Sequence, residues 1–200
     1  MSGDGTFHAL RLAAVHDGTS PAWQSFYPEG LPEDWRLAYY AHQWKDLLFP
    51  AAEWALRCRD LGWIGEIPDG MRVYLEPAPR PDGACAALVE ALGHRLGGLL
   101  EADPARTWPP AVAGRVLRSA PLPKIDGVRT GACFAGAGER ALVLEPEAGL
   151  GPRQWRALLE SLHASMAAGQ DAVAFFRVSP AELEQAVTIL RLAGLAWKKG

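Results

Sequence analysis

Short apolar segments alternate with amphipathic segments along most of this chain, and this alternation limits the folds open to it more than any other feature. The apolar segments have the length of strands and lie at residues 9–15, 47–49, 71–75, 99–101, 141–144 and 172–178. Segments with a helical spacing of apolar residues follow most of them. Strands that alternate with helices form βαβ units with a parallel sheet. The sequence therefore predicts an α/β fold whose sheet is mostly parallel.

The last predicted helix has the clearest boundary in the sequence. Ser179-Pro180-Ala181-Glu182 is a capping box with proline at the first helical position. The helix before it is predicted over residues 152–168, where Trp155, Leu158 and Leu162 recur at helical spacing. We expect this apolar stripe to pack against a sheet or another helix.

The composition favours one domain over residues 1–200. Hydrophobic residues make up 49% of the chain and charged residues 22%, which suits a single sizeable core. The net charge of -3 argues against attachment to nucleic acid by bulk charge. Three widely spaced cysteines fit a reducing compartment. No apolar stretch approaches the roughly 20 residues that span a bilayer. The N-terminus lacks the pattern of a secretory signal. We expect a cytoplasmic protein with no membrane partner.

The segment from residue 103 to residue 140 departs from the pattern. It contains five prolines, and within it only the stretch from Val112 to Leu117 looks regular. We predict an irregular structure for this segment. It also holds several arginines and Trp108, which could stack on a base. Nucleic-acid binding there is the least favoured of the functions considered.

Two stretches, one near each end of the chain, match the motifs of a known family. The first contains Asp17-Gly18-Thr19-Ser20 and Phe26-Tyr27-Pro28-Glu29-Gly30-Leu31-Pro32, and the second contains Ala174-Phe175-Phe176. These stretches resemble the bacterial family called domain of unknown function 72, which implies a (β/α) barrel and no assigned activity. The family is longer and carries a Glu-Ile-Asn run on its second strand, where this chain has Leu47-Leu48-Phe49-Pro50. The resemblance therefore predicts a shortened or divergent relative with a reduced or incomplete barrel.

Acidic residues end several of the predicted strands. Glu76, Glu101 and Glu145 do so, and His16 and Asp17 follow the first strand. The carboxyl ends of parallel strands meet at one rim, so these side chains could form a cleft. Asp17, Glu76 and Glu145 are our candidate catalytic residues, and His16 and Glu101 are candidates for ligand binding. Such a group can act as general acid and base or hold a divalent metal ion, although strand-end acids often simply face solvent.

The first third of the chain is rich in aromatic residues. Trp23 and Tyr27 lie on a predicted loop, where aromatic side chains form the wall of a ligand site or a subunit contact. They complete the candidate ligand-binding residues. Two functions follow. The first is a non-catalytic, degenerate barrel relative that self-associates or binds a partner or ligand through this region, and the missing second-strand polar residues favour it. The alternative is a small-molecule enzyme that uses the carboxylate and histidine cleft.

Overall fold

Eight strands close into a barrel in the computed structural model of the protein. The structure describes residues 7–18, 20–76, 83–136, 138–166 and 170–199. The strands are β1 (Phe7–Val15), β2 (Asp46–Phe49), β3 (Arg72–Leu75), β4 (Leu96–Glu101), β5 (Val116–Ala120), β6 (Val128–Gly136), β7 (Glu139–Pro146), β8 (Asp171–Phe176) and β9 (Trp197–Lys199). Strand β1 pairs in parallel with both β2 and β8, which closes the ring. Strand β9 pairs antiparallel with the first residues of β1.

The sheet is mixed but mostly parallel. Strand β6 runs antiparallel to both β5 and β7, and the other neighbours in the ring are parallel. The connections at both ends of β6 are too short to contain a crossover helix, so the chain can only reverse direction there. The predicted α/β class and mostly parallel sheet are confirmed. The expectation of an incomplete barrel is wrong for the strands, because β6 fills the gap and the ring is closed.

The helices cover the outside of the barrel. They are α1 (Pro21–Gln24), α2 (Arg36–Gln43), α3 (Ala51–Arg57), α4 (Gly83–Leu92), α5 (Pro110–Ala113), α6 (Pro152–Ser165) and α7 (Pro180–Leu192), with 3-10 turns at Glu33–Trp35, Gly62–Glu66 and Gly93–Arg95. The capping box of α7 is present as predicted, because the Glu182 carboxylate accepts a hydrogen bond from the Ser179 amide at 3.0 Å. None of the described helices is long and apolar enough to cross a membrane.

The segment from residue 103 to residue 140 is more regular than its sequence predicts. It contains α5, β5 and β6, so the prediction of irregular structure is wrong for these three elements. Glycines hide the strand signal of β6. A Cβ on Gly131 would lie 2.9 Å from Leu144 Cδ2, and one on Gly136 would lie 2.9 Å from the Val116 carbonyl. The close approach of neighbouring strands therefore requires small residues where a strand pattern would show large ones.

Alternate side chains of the strands separate into two layers. The outward layer packs against the helices and includes Leu47, Leu99 and Phe176. The inward layer fills the barrel, so that the barrel has a core rather than a pore. Its members are Ala13, Val15, Leu48, Tyr74, Leu100, Leu117, Phe134, Ala141, Val143, Val173 and Phe175.

A network of charged side chains lies inside the barrel near the beginnings of the strands. Arg11 Nε lies 2.9 Å from Asp46 Oδ2, and Arg72 Nη2 lies 2.8 Å from Asp46 Oδ1. Arg11 also forms an ion pair with Glu139, which accepts a hydrogen bond of 2.8 Å from the Tyr74 hydroxyl. Burial acts to lower the pKa of Arg11, but the negative charges of Asp46 and Glu139 outweigh it and raise that pKa. The network joins β1, β2, β3 and β7 through ion pairs that centre on the buried Asp46 carboxylate and are partly shielded from water.

We expect Asp46→Asn to destabilise the protein strongly. The Asp46 side chain is only 3% exposed, and its neutralisation leaves Arg11 and Arg72 with Glu139 as their remaining ion-pair partner, a loss of about 3 kcal/mol in the free energy of unfolding. Urea denaturation measures this loss. Glu160→Gln is the control, because the Arg156–Glu160 pair is exposed and such pairs contribute less than about 1 kcal/mol. Equal effects of the two substitutions would contradict a stabilising role for the network.

Candidate functional site

A cleft of about 620 Å³ opens beside the carboxyl ends of β1 and β2. The segment after β1, helices α2 and α3, and the 3-10 turn at Gly62–Glu66 form its walls. The residues that this site uses are His16, Asp17, Trp23, Tyr27, Arg36, Leu37, Glu53, Leu56, Arg57 and Trp63. The carboxyl ends of barrel strands are where the active sites of (β/α) barrel enzymes lie. The cleft is thus in the position where this fold places chemistry.

A histidine and a glutamate form a hydrogen-bonded pair in the cleft. His16 Nδ1 lies 2.6 Å from Glu53 Oε2, and the two side chains are 12% and 21% exposed. The ring of His16 packs edge to face on Phe49, with 5.2 Å between the ring centroids. A carboxylate on one ring nitrogen sets the orientation of an imidazole, which leaves Nε2 for exchange of a proton.

Arg57 holds the other oxygen of Glu53. Its Nε and Nη2 donate to Glu53 Oε1 at 3.1 and 3.0 Å. Burial acts to raise the pKa of Glu53, but the hydrogen bond from His16 and the charges of His16 and Arg57 outweigh it and lower that pKa. Glu53 is therefore held as a carboxylate between two donors, and it is not suited to release a proton itself.

Local sequence determines how the pair comes together. Strand β2 ends at Phe49 and Pro50 is the N-cap of α3, so that Glu53 falls in the first turn of the helix. The His16 amide donates to the Leu48 carbonyl at 2.8 Å, which fixes the end of β1 beside β2. The two residues thus reach each other across neighbouring strand ends.

Two polar atoms of residues that line the cleft are buried and have no hydrogen-bond partner among the described residues. They are the Tyr27 hydroxyl oxygen and Arg36 Nε. The Arg36 guanidinium lies over the Tyr27 ring, 5.1 Å from its centroid. Burial raises the pKa of Tyr27 to about 12, and the charges of Arg36, Glu53 and Arg57 also act on it. The hydroxyl therefore keeps its proton and lies within electrostatic reach of the pair formed by His16 and Glu53.

The structure brings four of the seven sequence-predicted residues to this cleft. His16, Asp17, Trp23 and Tyr27 line it. Trp23 is mostly a packing residue, because its side chain is 3% exposed and its indole donates to the Val178 carbonyl at 3.0 Å. His16 and Asp17 also border a groove beside Arg177 and α7.

The three strand-end glutamates lie elsewhere. Glu76 forms an ion pair with Arg177, and Glu145 forms one with Arg129; both glutamates line an opening of about 370 Å³ at the mouth of the barrel. Glu101 is buried and binds its own loop, accepting hydrogen bonds from Trp108 at 3.0 Å and from the Asp103 amide at 2.9 Å. The predicted acids are thus divided between the opening with Glu76 and Glu145, the cleft with His16 and Asp17, and the loop that Glu101 holds, and their catalytic roles stay a prediction.

Sequence reasoning missed Glu53, Arg57 and Arg36. It searched for acids at strand ends, whereas these residues lie on the helices that follow. One signal was available, since Glu53 and Arg57 are four residues apart in the helix predicted after Pro50. Nothing in the sequence shows that this helix faces His16.

The arginines of residues 103–140 mostly hold their own loop and strands. Arg118 donates to the Arg106 carbonyl at 3.0 Å and to the Asp103 carbonyl at 3.2 Å, and Arg115 donates to the Leu96 carbonyl. These contacts occupy donors that nucleic-acid binding would require.

No finding supports the predicted divalent metal ion or the predicted resemblance to domain of unknown function 72. In the part of the chain that the structure describes, no group of three or more His, Cys, Asp or Glu side chains is placed to hold a metal ion. Comparison with protein-family models and with curated proteins found no match. The metal and the resemblance to domain of unknown function 72 therefore stay predictions.

We expect Tyr40→Phe to lower the stability of the protein and Tyr27→Phe to leave it undiminished. Tyr40 donates to the Asp46 carbonyl at 2.9 Å and accepts from the Ala14 amide at 3.2 Å. Tyr40→Phe leaves these groups unpaired and lowers the free energy of unfolding by about 1–3 kcal/mol. Tyr27→Phe removes a buried hydroxyl without a partner and does not lower it. Urea denaturation measures both, and an equal loss in Tyr27→Phe would show that its hydroxyl has a partner.

We also expect the contribution of Glu53 to stability to depend on pH. Because its pKa is lowered by folding, the unfolded chain binds the proton more readily, so the stabilisation is fully present above the ordinary carboxyl pKa of about 4.3 and is lost at lower pH. The difference in the free energy of unfolding between the wild type and Glu53→Gln should shrink as the pH falls from about 5.5 to about 2.5. Urea titrations measure it. Glu147→Gln, on the exposed turn after β7, is the control, and a difference that grows towards low pH would contradict the prediction.

Proposed function

We propose that the protein is a cytoplasmic small-molecule enzyme in which His16 transfers a proton to or from a ligand bound in the cleft. The observation that carries the proposal is the 2.6 Å contact between His16 and Glu53 inside this cleft. Proton transfer by a positioned histidine is the commonest form of general acid–base catalysis. We further propose a distant kinship with domain of unknown function 72, in keeping with the barrel that the resemblance implies.

The contacts of His16 support its role as the proton-transfer group. Glu53 orients the imidazole through Nδ1, and Arg57 in turn orients Glu53 with two hydrogen bonds. This is the arrangement of a general acid–base histidine whose imidazole is oriented by a carboxylate. The lowered pKa of Glu53 keeps its negative charge available to stabilise the imidazolium formed when His16 accepts a proton.

The cleft has the size and lining of a small-molecule site. Ligand pockets are concave and mostly apolar, with a few polar groups, and span about 300–1,000 Å³. The present cleft, at about 620 Å³, combines apolar walls from Trp63, Leu37 and Leu56 with His16, two arginines, Glu53 and five further acidic side chains. A ligand in it would be held beside the histidine and partly shielded from water.

The function favoured by the sequence, self-association through aromatic residues, draws less support from the fold. In the described chain from residue 20 to residue 63, most aromatic side chains are buried or partly buried in the core, and Trp35 is the exposed one, at 63%. Binding of a ligand without catalysis uses the same cleft and is the second candidate. It differs from the first only in whether the bound ligand is transformed.

We expect a panel of small molecules to contain ligands that bind in the cleft and are transformed there. Ligand-observed NMR identifies the binders, and continued incubation shows which of them change chemically. His16→Gln should lower the rate of that change by about 100-fold or more, the contribution of a positioned acid or base. His42→Gln is the matched control, because His42 is exposed on α2 and does not line the cleft.

Two substitutions by tryptophan locate the bound ligand. Leu56 lines the cleft and is 64% exposed, whereas Leu192 is 84% exposed on α7. Leu56→Trp should block binding with little effect on stability, and Leu192→Trp should leave binding unchanged. Binders that Leu56→Trp excludes but that never change chemically would favour the non-catalytic candidate. Ligands that bind the Leu56→Trp variant as tightly as the wild type would show that the cleft is not the functional site.

A further inference from the structure

The aromatic faces of the cleft are already occupied by arginines. The Arg57 guanidinium lies 4.8 Å from the centroid of Phe49 and 5.2 Å from that of Trp63. Arg36 lies over Tyr27 at 5.1 Å. A cationic ligand is attracted to aromatic faces that are open to it. These faces therefore cannot serve as a cage for a positively charged group.

The two arginines differ in their partners. Arg57 is paired with Glu53, so its charge is largely compensated. Arg36 is partly buried, and its guanidinium stacks on the Tyr27 ring. It makes no ion pair or hydrogen bond with the residues that the structure describes. A guanidinium presents a planar fork of donors that matches the two oxygens of a carboxylate. Arg36 thus has a free positive charge at the inner side of the cleft.

Tyr27 adds a second donor beside this charge. Its side chain is 8% exposed, and its hydroxyl has no hydrogen-bond partner among the described residues. A buried hydroxyl without a partner costs free energy that an acceptor would recover. An oxygen atom bound at Arg36 would be such an acceptor. The two side chains therefore favour the same kind of ligand group.

The mouth of the cleft limits the negative charge that a ligand can carry. Five acidic side chains border the cleft besides Glu53: Asp17, Glu33, Asp34, Asp60 and Glu66. Most of them are exposed, so solvent and salt screen their charge more than that of the half-buried Arg36. One unpaired arginine matches a single negative charge, whereas a dianion such as phosphate would face an excess of carboxylates.

We infer that the cleft binds a monocarboxylate with an apolar body, and that Arg36 holds the carboxylate. The inference rests on the proposed function and specifies the substrate class of the same cleft. Trp63, Leu37 and Leu56 contact the apolar body, and Tyr27 donates to the second carboxylate oxygen. This placement leaves His16 free to exchange a proton with another part of the ligand.

Three probes of one shape test the inference. Phenylacetate, phenylacetamide and phenethylamine have the same aromatic body and carry a negative, neutral and positive group. Their dissociation constants are measured by calorimetry on the full chain at low ionic strength, with inorganic phosphate as a dianion. Phenylacetate should bind about tenfold or more tightly than the amide, since a hydrogen bond to a charged group contributes that much. Phosphate and the amine should bind more weakly than phenylacetate.

Variants assign the preference to Arg36. Arg36→Gln should abolish the advantage of phenylacetate over phenylacetamide, and Arg191→Gln, on the exposed face of α7, should retain it. Leu56→Trp should weaken both probes, which places them in the cleft. His42→Gln, at an exposed position of α2 that does not line the cleft, should bind phenylacetate as the wild type does.

The outcomes separate this inference from the proposed function. Equal binding of the three probes, tighter binding of the amine, a preference that survives Arg36→Gln, or no binding of phenylacetate overturns the carboxylate assignment. The proposed function would still stand if other members of the panel are bound and transformed in a manner that depends on His16. If the panel contains no ligand that Leu56→Trp excludes, the proposed function fails as well.

Discussion

Closure of the barrel through β1 is the constraint on which the rest of the structure depends. The strand hydrogen-bonds to β8 along most of its length and to β2 at its end. Its inward side chains include Arg11, which joins the charged network, and Ala13 and Val15, which are small enough to fill the barrel beside Phe175. The residue that follows the strand is His16. One strand therefore contributes the ring closure, the buried charges and the proton-transfer group.

The two ends of the barrel interior have different chemistry. Near the beginnings of the strands, Asp46 and Glu139 compensate two partly buried arginines and stabilise the arrangement of four strands. At the other ends, the histidine and glutamate pair lies in an open cleft with an arginine that lacks a carboxylate. The carboxylates of the network are paired with arginines, whereas Arg36 in the cleft has no carboxylate and the Tyr27 hydroxyl has no acceptor among the described residues. This contrast is the reason that we assign function to the cleft and not to the network.

The sequence predicted the elements whose signals are local. The capping box at Ser179 and the apolar run of β8 depend on residues that are close in the chain. Strand β6 was not predicted because Gly131 and Gly136 are required by the close approach of β7 and β5. A local sequence pattern does not show these contacts between strands. Trp23 and Tyr27 line the cleft, but the sequence does not show that they are buried, because their burial depends on contacts with Tyr39 and Tyr40 of α2.

The sequence by itself determined the α/β class, the mostly parallel sheet and the placement of His16 and Asp17 after the first strand. Periodicity, proline and capping residues are sufficient for these, because they act within a few residues. Only the tertiary structure decided that β1 and β2 are neighbours and that α3 turns Glu53 towards His16. It also decided that Glu76 forms an ion pair with Arg177 and Glu145 one with Arg129. These contacts join residues from different elements, and their pairing depends on the register and closure of the barrel rather than on any local pattern.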